Sequence, residues 1–367
     1  MSVLYPELGY YTLPGHVPHP GPITREVQLG EQLGLGSVWI SERLNTKNVE
    51  VLSGLAAAHA PNMGIASGLI ANLPLRHPLV VAAYASTMAL LTGNRFALGL
   101  GRGQDALSDA CGVARVSFRL LEDWIAILRA LWRGESVTYS GPAGILKGVS
   151  LGFKLDVPPP IIMAVMGEKT SAWAGKHCDG VVYNSLWSPR AIEHSTRLVR
   201  QGAGGAGRDP ERVRVWTVTI TACELPEEEM LTFVVRRMNT YLAFPGMYET
   251  ICDANGWDKA VLEKVRQLQK SIDTKPGSGT LGDEHTSRKL DDMRRSYEVY
   301  PSHWIEQGCA VGTAAQCVDR LLERFDAGAD GVLLHGSTPE HLSPLIGEWS
   351  RRRPAGRFAG RHANPGL

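Results

Sequence analysis

Eight short apolar segments alternating with helical ones predict an α/β chain folded as a (β/α)8 TIM barrel with insertions at its C-terminal rim. Three observations carry this expectation. The segments recur in series along 367 residues. The stretch 63–104, MGIASGLIANLPLRHPLVVAAYASTMALLTGNRFALGLGRGQ, reads as strand, loop, buried helix, turn, strand and glycine-rich loop. The first strand, LGYYT, has no GxGxxG behind it, which argues against the rival architecture, a doubly wound open sheet.

The predicted strands are 8–13, 37–41, 65–70, 96–100, 161–165, 180–183, 213–221 and 331–334. Helices fit 24–33, 49–59, 79–91, 118–132, 170–176 and 189–201, one or more after Pro226, and 314–327. Pro78 suits the opening of the third helix, where its missing N–H would be unpaired anyway, and Gly93-Asn94 stops that helix. The uncharged run 77–94 sits at the short end of the membrane-spanning range, contains Pro78, Tyr84, Ser86 and Thr87, and follows a strand as a βαβ crossover does. It therefore reads as a buried helix. Asp179-Gly180 and Asp330-Gly331 read as turns that start strands.

Two insertions interrupt the alternation: the Gly- and Pro-rich 139–160, and a helical and loop segment over 222–312 before the last strand, with helical stretches at 226–242 and 257–271 and a polar, mobile loop over 273–289. Insertions at a barrel's catalytic rim serve as lids or contacts, so 1–367 is expected to be one domain, with 351–367 as a flexible tail carrying Arg351, Arg352, Arg353, Arg357 and Arg361.

Lys plus Arg (38) nearly equals Asp plus Glu (37), so no overall field draws the chain to nucleic acid or to an anionic membrane. The six cysteines show no CxxC spacing and the first residues no secretion signal, which implies a cytoplasmic protein with reduced thiols. No HExxH or other metal-ligand spacing is present, nor a GxSxG elbow or Walker loop. A chain with ring- and phosphate-docking features but no nucleophile borrows its chemistry from a cofactor.

The candidates for that chemistry sit where strands end. Glu42 and Arg43 close the second strand and are either a catalytic carboxylate with a cation beside it or a surface ion pair. His16, on the first loop, is a proton donor or simply exposed. Gly101, Arg102, Gly103 and Gln104 end the fourth strand, where glycine lets a flat ring approach the backbone or merely makes a tight turn. Gly167, Glu168 and Lys169 precede a helix whose free N–H groups suit a phosphate.

At these residues the sequence resembles the luciferase-like monooxygenase superfamily, and within it the branch that uses the deazaflavin coenzyme F420. The run LPLRHPLVVAAYASTMALLTGNRFALGLGRG carries most of the likeness, supported by AVMGEKTSAWAGKHCDGVVYN and VGTAAQCVDRLLERFDAGADGVLLHG. The resemblance implies a bulge with a non-prolyl cis peptide near Leu69-Ile70, followed by Asn72, that backs the coenzyme ring. It also implies Glu42 near the ring, 101–104 beside it, and Gly167, Glu168 and Lys169 on the phosphate. A related sugar-phosphate dehydrogenase has histidine where this chain has Arg43 and glutamate where it has Gln104, so the proton donor is left unassigned.

The implied activity is an F420-dependent oxidoreductase passing a hydride between the deazaflavin C5 and a small organic substrate, in a homodimer. The alternatives are an FMN-dependent monooxygenase and a non-catalytic coenzyme-binding protein.

Overall fold

A computed structural model of the chain describes residues 4–15, 17–243, 246–272 and 289–367. Its strands are β1 (Tyr5–Thr12), β2 (Leu35–Ile40), β3 (Gly64–Ser67), β4 (Phe96–Leu100), β5 (Val137–Gly141), β6 (Gly144–Val149), β7 (Ile161–Val165), β8 (Gly180–Tyr183), β9 (Arg214–Cys223), β10 (Cys309–Gly312) and β11 (Gly331–Gly336). Eight of these close a parallel barrel in the order β1-β2-β3-β4-β7-β8-β9-β11, and β11 returns to β1 with Leu8 opposite Val332. All eight expected strands are there.

Alternation along each strand sends one set of side chains to the helices and the other into the barrel. The inner set is Tyr11, Trp39, Ala66, Ala97, Ile162, Val182, Trp216, Val218 and Leu333, drawn from all eight strands. Small Ala66 and Ala97 leave room for Trp39 and Trp216, whose rings lie 5.3 Å apart, so the barrel is filled by large against small. Fully burying each such aromatic is worth about 2–3 kcal/mol.

The outer helices are amphipathic and capped. Phe118–Trp132 starts at Ser117, whose hydroxyl accepts from the Leu120 amide at 3.2 Å, and buries Leu120, Leu121, Trp124, Leu128 and Leu131. Pro78–Leu91 packs against it, and its Ala82 carbonyl accepts from Trp132 Nε1 at 3.2 Å. No helix among the described residues is long and apolar enough to cross a membrane.

Several elements differ from expectation. Part of the Gly-rich 139–160 belongs to an antiparallel hairpin, β5 with β6, in which Ser140 faces Ile145. Strand β10 extends the outer edge of β9 over Cys309 to Gly312, too short and too close to glycine to register as a strand beforehand. A last helix, Pro339–Arg352, contains Pro344, which masks its helical pattern. The 222–312 segment holds the helices Arg236–Ala243, Met247–Asn255, Lys259–Ile272 and Leu290–Val299 before β10, while 273–288 fall outside the described residues.

The expected flexible tail is a plug instead. Arg353 donates to both oxygens of the fully buried Glu7 at 2.7 and 2.8 Å, and Arg361 to Asp330 at 2.8 Å. Asn364 caps the carbonyls of Asn94 and Phe96, and the Pro365 carbonyl accepts from Trp216 Nε1 at 2.7 Å. Gly64 is glycine because an added Cβ would lie 1.9 Å from the Ala363 carbonyl. Of the arginines that looked like a solvated run, Arg353 and Arg361 have carboxylate partners at the N-terminal ends of barrel strands, a pairing that local composition cannot reveal, while Arg351 is exposed and pairs with Glu348 of its own helix. On the same face Asp179 and Asp330 accept from the Ile161 and Val215 amides, as expected of structural turns.

Candidate active site at the C-terminal mouth

Strands β3 and β4 are in register at Ile65–Phe96 and Ala66–Ala97, and meet again at a bridge between Ile70 and Leu100. Between those points β3 spends four steps and β4 three, so one extra residue is thrown out as a bulge. The peptide between Gly68 and Leu69 is cis, one bond before the expected place. Gly68 N donates to Ile40 O at 2.7 Å, Ile70 N to Gly99 O at 2.9 Å, and Gly101 N to Ile70 O at 2.9 Å, so the bulge is tied on both sides.

Leu69 folds over β4. Its methyls lie 2.9 and 3.4 Å from where a Cβ on Gly99 or Gly101 would sit, and the Ser67 carbonyl is 2.0 Å from that of Gly99. The glycines at 99 and 101 thus seat Leu69 rather than lie bare. Beyond them, Asn72 in the left-handed region (φ 52°) accepts from Gln104 N at 3.0 Å and donates to Gln104 O at 2.9 Å and Ser108 Oγ at 3.0 Å. A Cβ on Gly103 would lie 2.1 Å from Asn72 Oδ1, so Asn72, Gly103 and Gln104 form one locked corner. Arg102 is exposed and turns away, 3.4 Å from the Val116 carbonyl and 5.9 Å from the Phe118 ring centre.

Glu42 and Arg43 do not act as a pair of side chains. Glu42, only 6% exposed, is gripped by Arg76, which also holds Glu50 at 2.6 Å. Burial raises the Glu42 pKa against the pull of Arg76; burial also pushes on Glu50, but there Arg76 outweighs it and the pKa falls. Arg43 donates from Nη1 to the Glu42 carbonyl at 2.9 Å, and its Nε is buried without a partner. Lys47 closes this corner: its Nζ donates to Leu13 O and Gly15 O at 2.8 Å and to Ser41 Oγ at 3.0 Å, pinning the first rim loop. His16 on that loop lies outside the described residues.

Gly167 is the N-cap of the helix Glu168–His177, with no side chain capping it and nothing within 4 Å of an added Cβ. The first-turn amides therefore have no side-chain cap at Gly167, and the positive end of the helix lies behind them. Glu168 is drawn to His194 Nε2 at 2.7 Å, whose Nδ1 lies 2.7 Å from Arg197; Lys169 is exposed.

Sequence reasoning passed over the centre of the mouth. Inward alternation along β11 runs Gly331, Leu333, His335, and that period-two pattern places a polar group at the top of the barrel. His335 is 6% exposed, lies edge-on to Tyr11 at 5.0 Å, and has Nε2 3.5 Å from the Tyr241 hydroxyl, while its Nδ1 is buried without a partner. Burial, then Arg237, Lys47 and Arg43, hold its imidazole well below the ordinary 6.5, so it is neutral. Burial, with Tyr241 adding, also pushes the Tyr11 hydroxyl upward against Arg43. Among the described residues no group of His, Cys, Asp or Glu could hold a metal ion.

The chain is 31% identical over 332 residues to the 5,10-methylenetetrahydromethanopterin reductase of Methanolobus tindarius, covering 89% of this chain and 94% of that one. It is 27% identical over 193 residues to the F420-dependent glucose-6-phosphate dehydrogenase of Beutenbergia cavernae, covering 49% and 57%. The fold is shared with the coenzyme F420-dependent tetrahydromethanopterin reductase of Methanopyrus kandleri, at a TM-score of 0.75 and 19% identity over 95% of this chain and 98% of that one. The family described as luciferase-like monooxygenase matches residues 4–331, nearly the whole barrel, and the chain belongs to that family of oxidoreductases.

Proposed function

We propose that the chain is a coenzyme F420-dependent oxidoreductase acting on a small organic substrate. The observation that carries this reading is the one-residue bulge of β3, which brings main chain at Gly68 to Ile70 to the barrel mouth beside the glycine-bearing end of β4. Residues 68–70 and 101–104 would back the ring, and the open amides at Gly167, Glu168 and Lys169 would hold an anionic tail, with the Glu168 carboxylate taken up by His194. The residues present fit such a group: the helix Glu168–His177 begins at Gly167 with no side-chain cap, and nothing lies within 4 Å of where a Cβ on Gly167 would sit.

When bound, the deazaflavin supplies hydride transfer at C5. The protein's own part is placement and exclusion of water. The Glu42–Arg76–Glu50 network fixes the corner after β2, Asn72 fixes the corner after the bulge, and the helices of 222–312 bring Tyr241 over the mouth. In this reading Glu42 is a positioning residue. The second reading is an FMN-dependent monooxygenase, which the family also accommodates. Titration with each coenzyme, followed by calorimetry and absorbance, separates the two: tighter uptake of the deazaflavin supports the first and tighter uptake of FMN the second.

A homodimer is part of the proposal. Val51 and Leu55 on Val49–His59, with Val80, Leu90 and Leu91 on Pro78–Leu91, make an exposed apolar stripe across two adjacent helices. Sedimentation should give twice the chain mass of 39.9 kDa, and a mass of one chain would reject it. A reducing, cytoplasmic setting is supported by the six cysteines, all unpaired; a disulfide found by mass spectrometry of the native protein would count against it.

A further inference from the structure

Two thiols meet at the root of the 222–312 segment. Cys223 is the last residue of β9, where that segment leaves the barrel, and Cys317 lies early in the helix Ala314–Asp326, just after it returns. In the β9–β10 ladder Cys223 stands opposite Gly312. The Cys317 sulfur lies 3.8 Å from the Gly312 carbonyl oxygen and 4.0 Å from that of Ala222, so it rests against the main chain next to Cys223 and across from it. The two side chains hydrogen-bond to each other.

That contact is unequal. The hydrogen bond from Cys317 holds the Cys223 thiol below its ordinary range against burial and Glu224, while the same bond, followed by burial, pushes Cys317 up. Cys223 is therefore the sulfur that becomes the thiolate, the form that attacks an oxidant, and Cys317 keeps a proton to give. Burial is the main cause that pushes Cys178, Cys252 and Cys309 up to about 12, so those three stay inert. Cys223 is 1% exposed and Cys317 fully buried, but exposed residues adjoin both: Glu224 follows the first and Gln316 precedes the second. A small oxidant needs only a local opening of the rim to reach them.

We propose that Cys223 and Cys317 are a site of oxidative modification by hydrogen peroxide, two thiols in the resting protein that become a disulfide stapling together both ends of the segment that carries Tyr241 to the mouth. The Cys223 thiolate attacks one peroxide oxygen; the O–O bond breaks, an S–O bond forms, and the departing hydroxide takes up the proton that Cys223 gave up, leaving as water. The Cys317 sulfur then attacks the Cys223 sulfenic acid; the S–S bond forms, the S–O bond breaks, and a second water leaves with the Cys317 proton. Two thiols lose two electrons to one peroxide, and a dithiol reductant reverses the change. The site goes beyond the proposed function and is independent of which coenzyme the mouth takes.

The test exposes the folded full chain to hydrogen peroxide, quenches it with catalase, unfolds it and alkylates the remaining thiols with N-ethylmaleimide. Protein isolated without oxidant should take up six labels, one for each cysteine, and oxidised protein two fewer, with dithiothreitol restoring them. Mass spectrometry should find the tryptic peptide 215–236 joined to 296–320, and fragment sequencing of the second should place the link at Cys317 rather than Cys309. Cys223 should react at least about tenfold faster than Cys178, Cys252 or Cys309. In Cys317→Ser the link should vanish and dimedone should trap the sulfenic acid on Cys223; because the link is mapped in unmodified protein, the answer survives if that variant does not fold. Closing the chain from 223 to 317 should raise the thermal midpoint by about 5 °C, reversibly. Full retention of six thiols, a link through Cys309, a link between two chains only, or a disulfide that leaves the midpoint unchanged overturns the proposal.

Discussion

Replacing Arg353 by methionine should cost far more than the loss of a surface ion pair, because of what it leaves behind. Glu7 is fully buried on β1, and its carboxylate is held by Arg353 Nε and Nη2 at 2.7 and 2.8 Å, with Trp349 Nε1 donating to it at 3.0 Å. Arg353→Met removes both charged donors and strands the carboxylate with a single indole N–H. Breaking a buried pair from one side costs about 3–5 kcal/mol. The arginine side chain is 30% exposed, so water can follow it in, and the lower end of about 3 kcal/mol is expected.

Urea unfolding followed by tryptophan fluorescence measures the change. The double variant Glu7→Gln/Arg353→Met should be more stable than Arg353→Met alone, because the uncompensated charge goes with the glutamate. A loss below about 1 kcal/mol, with no recovery in the double variant, would refute the view that the chain end is a structural plug.

Two further outcomes follow from the site. His335 is neutral in the fold, where Tyr11, Tyr241, Arg43, Lys47 and Arg237 face it, but its unfolded counterpart takes up a proton below about 6.5. The unfolded state therefore binds the extra proton, and stability should fall by up to about 1.4 kcal/mol per pH unit as pH drops below 6.5. His335→Asn should lack that component in urea curves collected across the range; parallel losses in both proteins would count against it. At Gly103 (φ 70°), alanine would meet Asn72 Oδ1 at 2.1 Å and Asn72 N at 2.4 Å. Between left-handed strain and the displaced Asn72–Gln104 bonds, a loss of about 2–4 kcal/mol is expected, and a calorimetric melt unchanged from the parent protein would show that the corner is not locked.

How much of this was legible beforehand depended on how local each signal was. The barrel strands were readable because most are short apolar runs closed by glycine, asparagine or proline, and the Pro78 helix because its cap and stop are adjacent to it in sequence. The bulge was placed within one bond by resemblance alone; nothing in GLIAN by itself specifies an extra residue, which exists only relative to β4. Glu42 was found but its partner was not, because Arg76 lies thirty-four positions away. The plug was misread for the same reason, its carboxylates being on β1 and before β11. His335 was readable from alternation along GVLLHG and was overlooked because a lone histidine in an apolar strand carries no motif.

The central claim is that the mouth beside the β3 bulge takes a deazaflavin. Titrating the purified chain with coenzyme F420 and, separately, with FMN in a calorimeter tests it most directly. The account expects saturable uptake of one F420 per chain, tighter than FMN, and weakened when Gly167 is replaced by valine to crowd the anion cradle. Heat from neither coenzyme, or uptake that ignores Gly167→Val and Gly103→Ala alike, would contradict it.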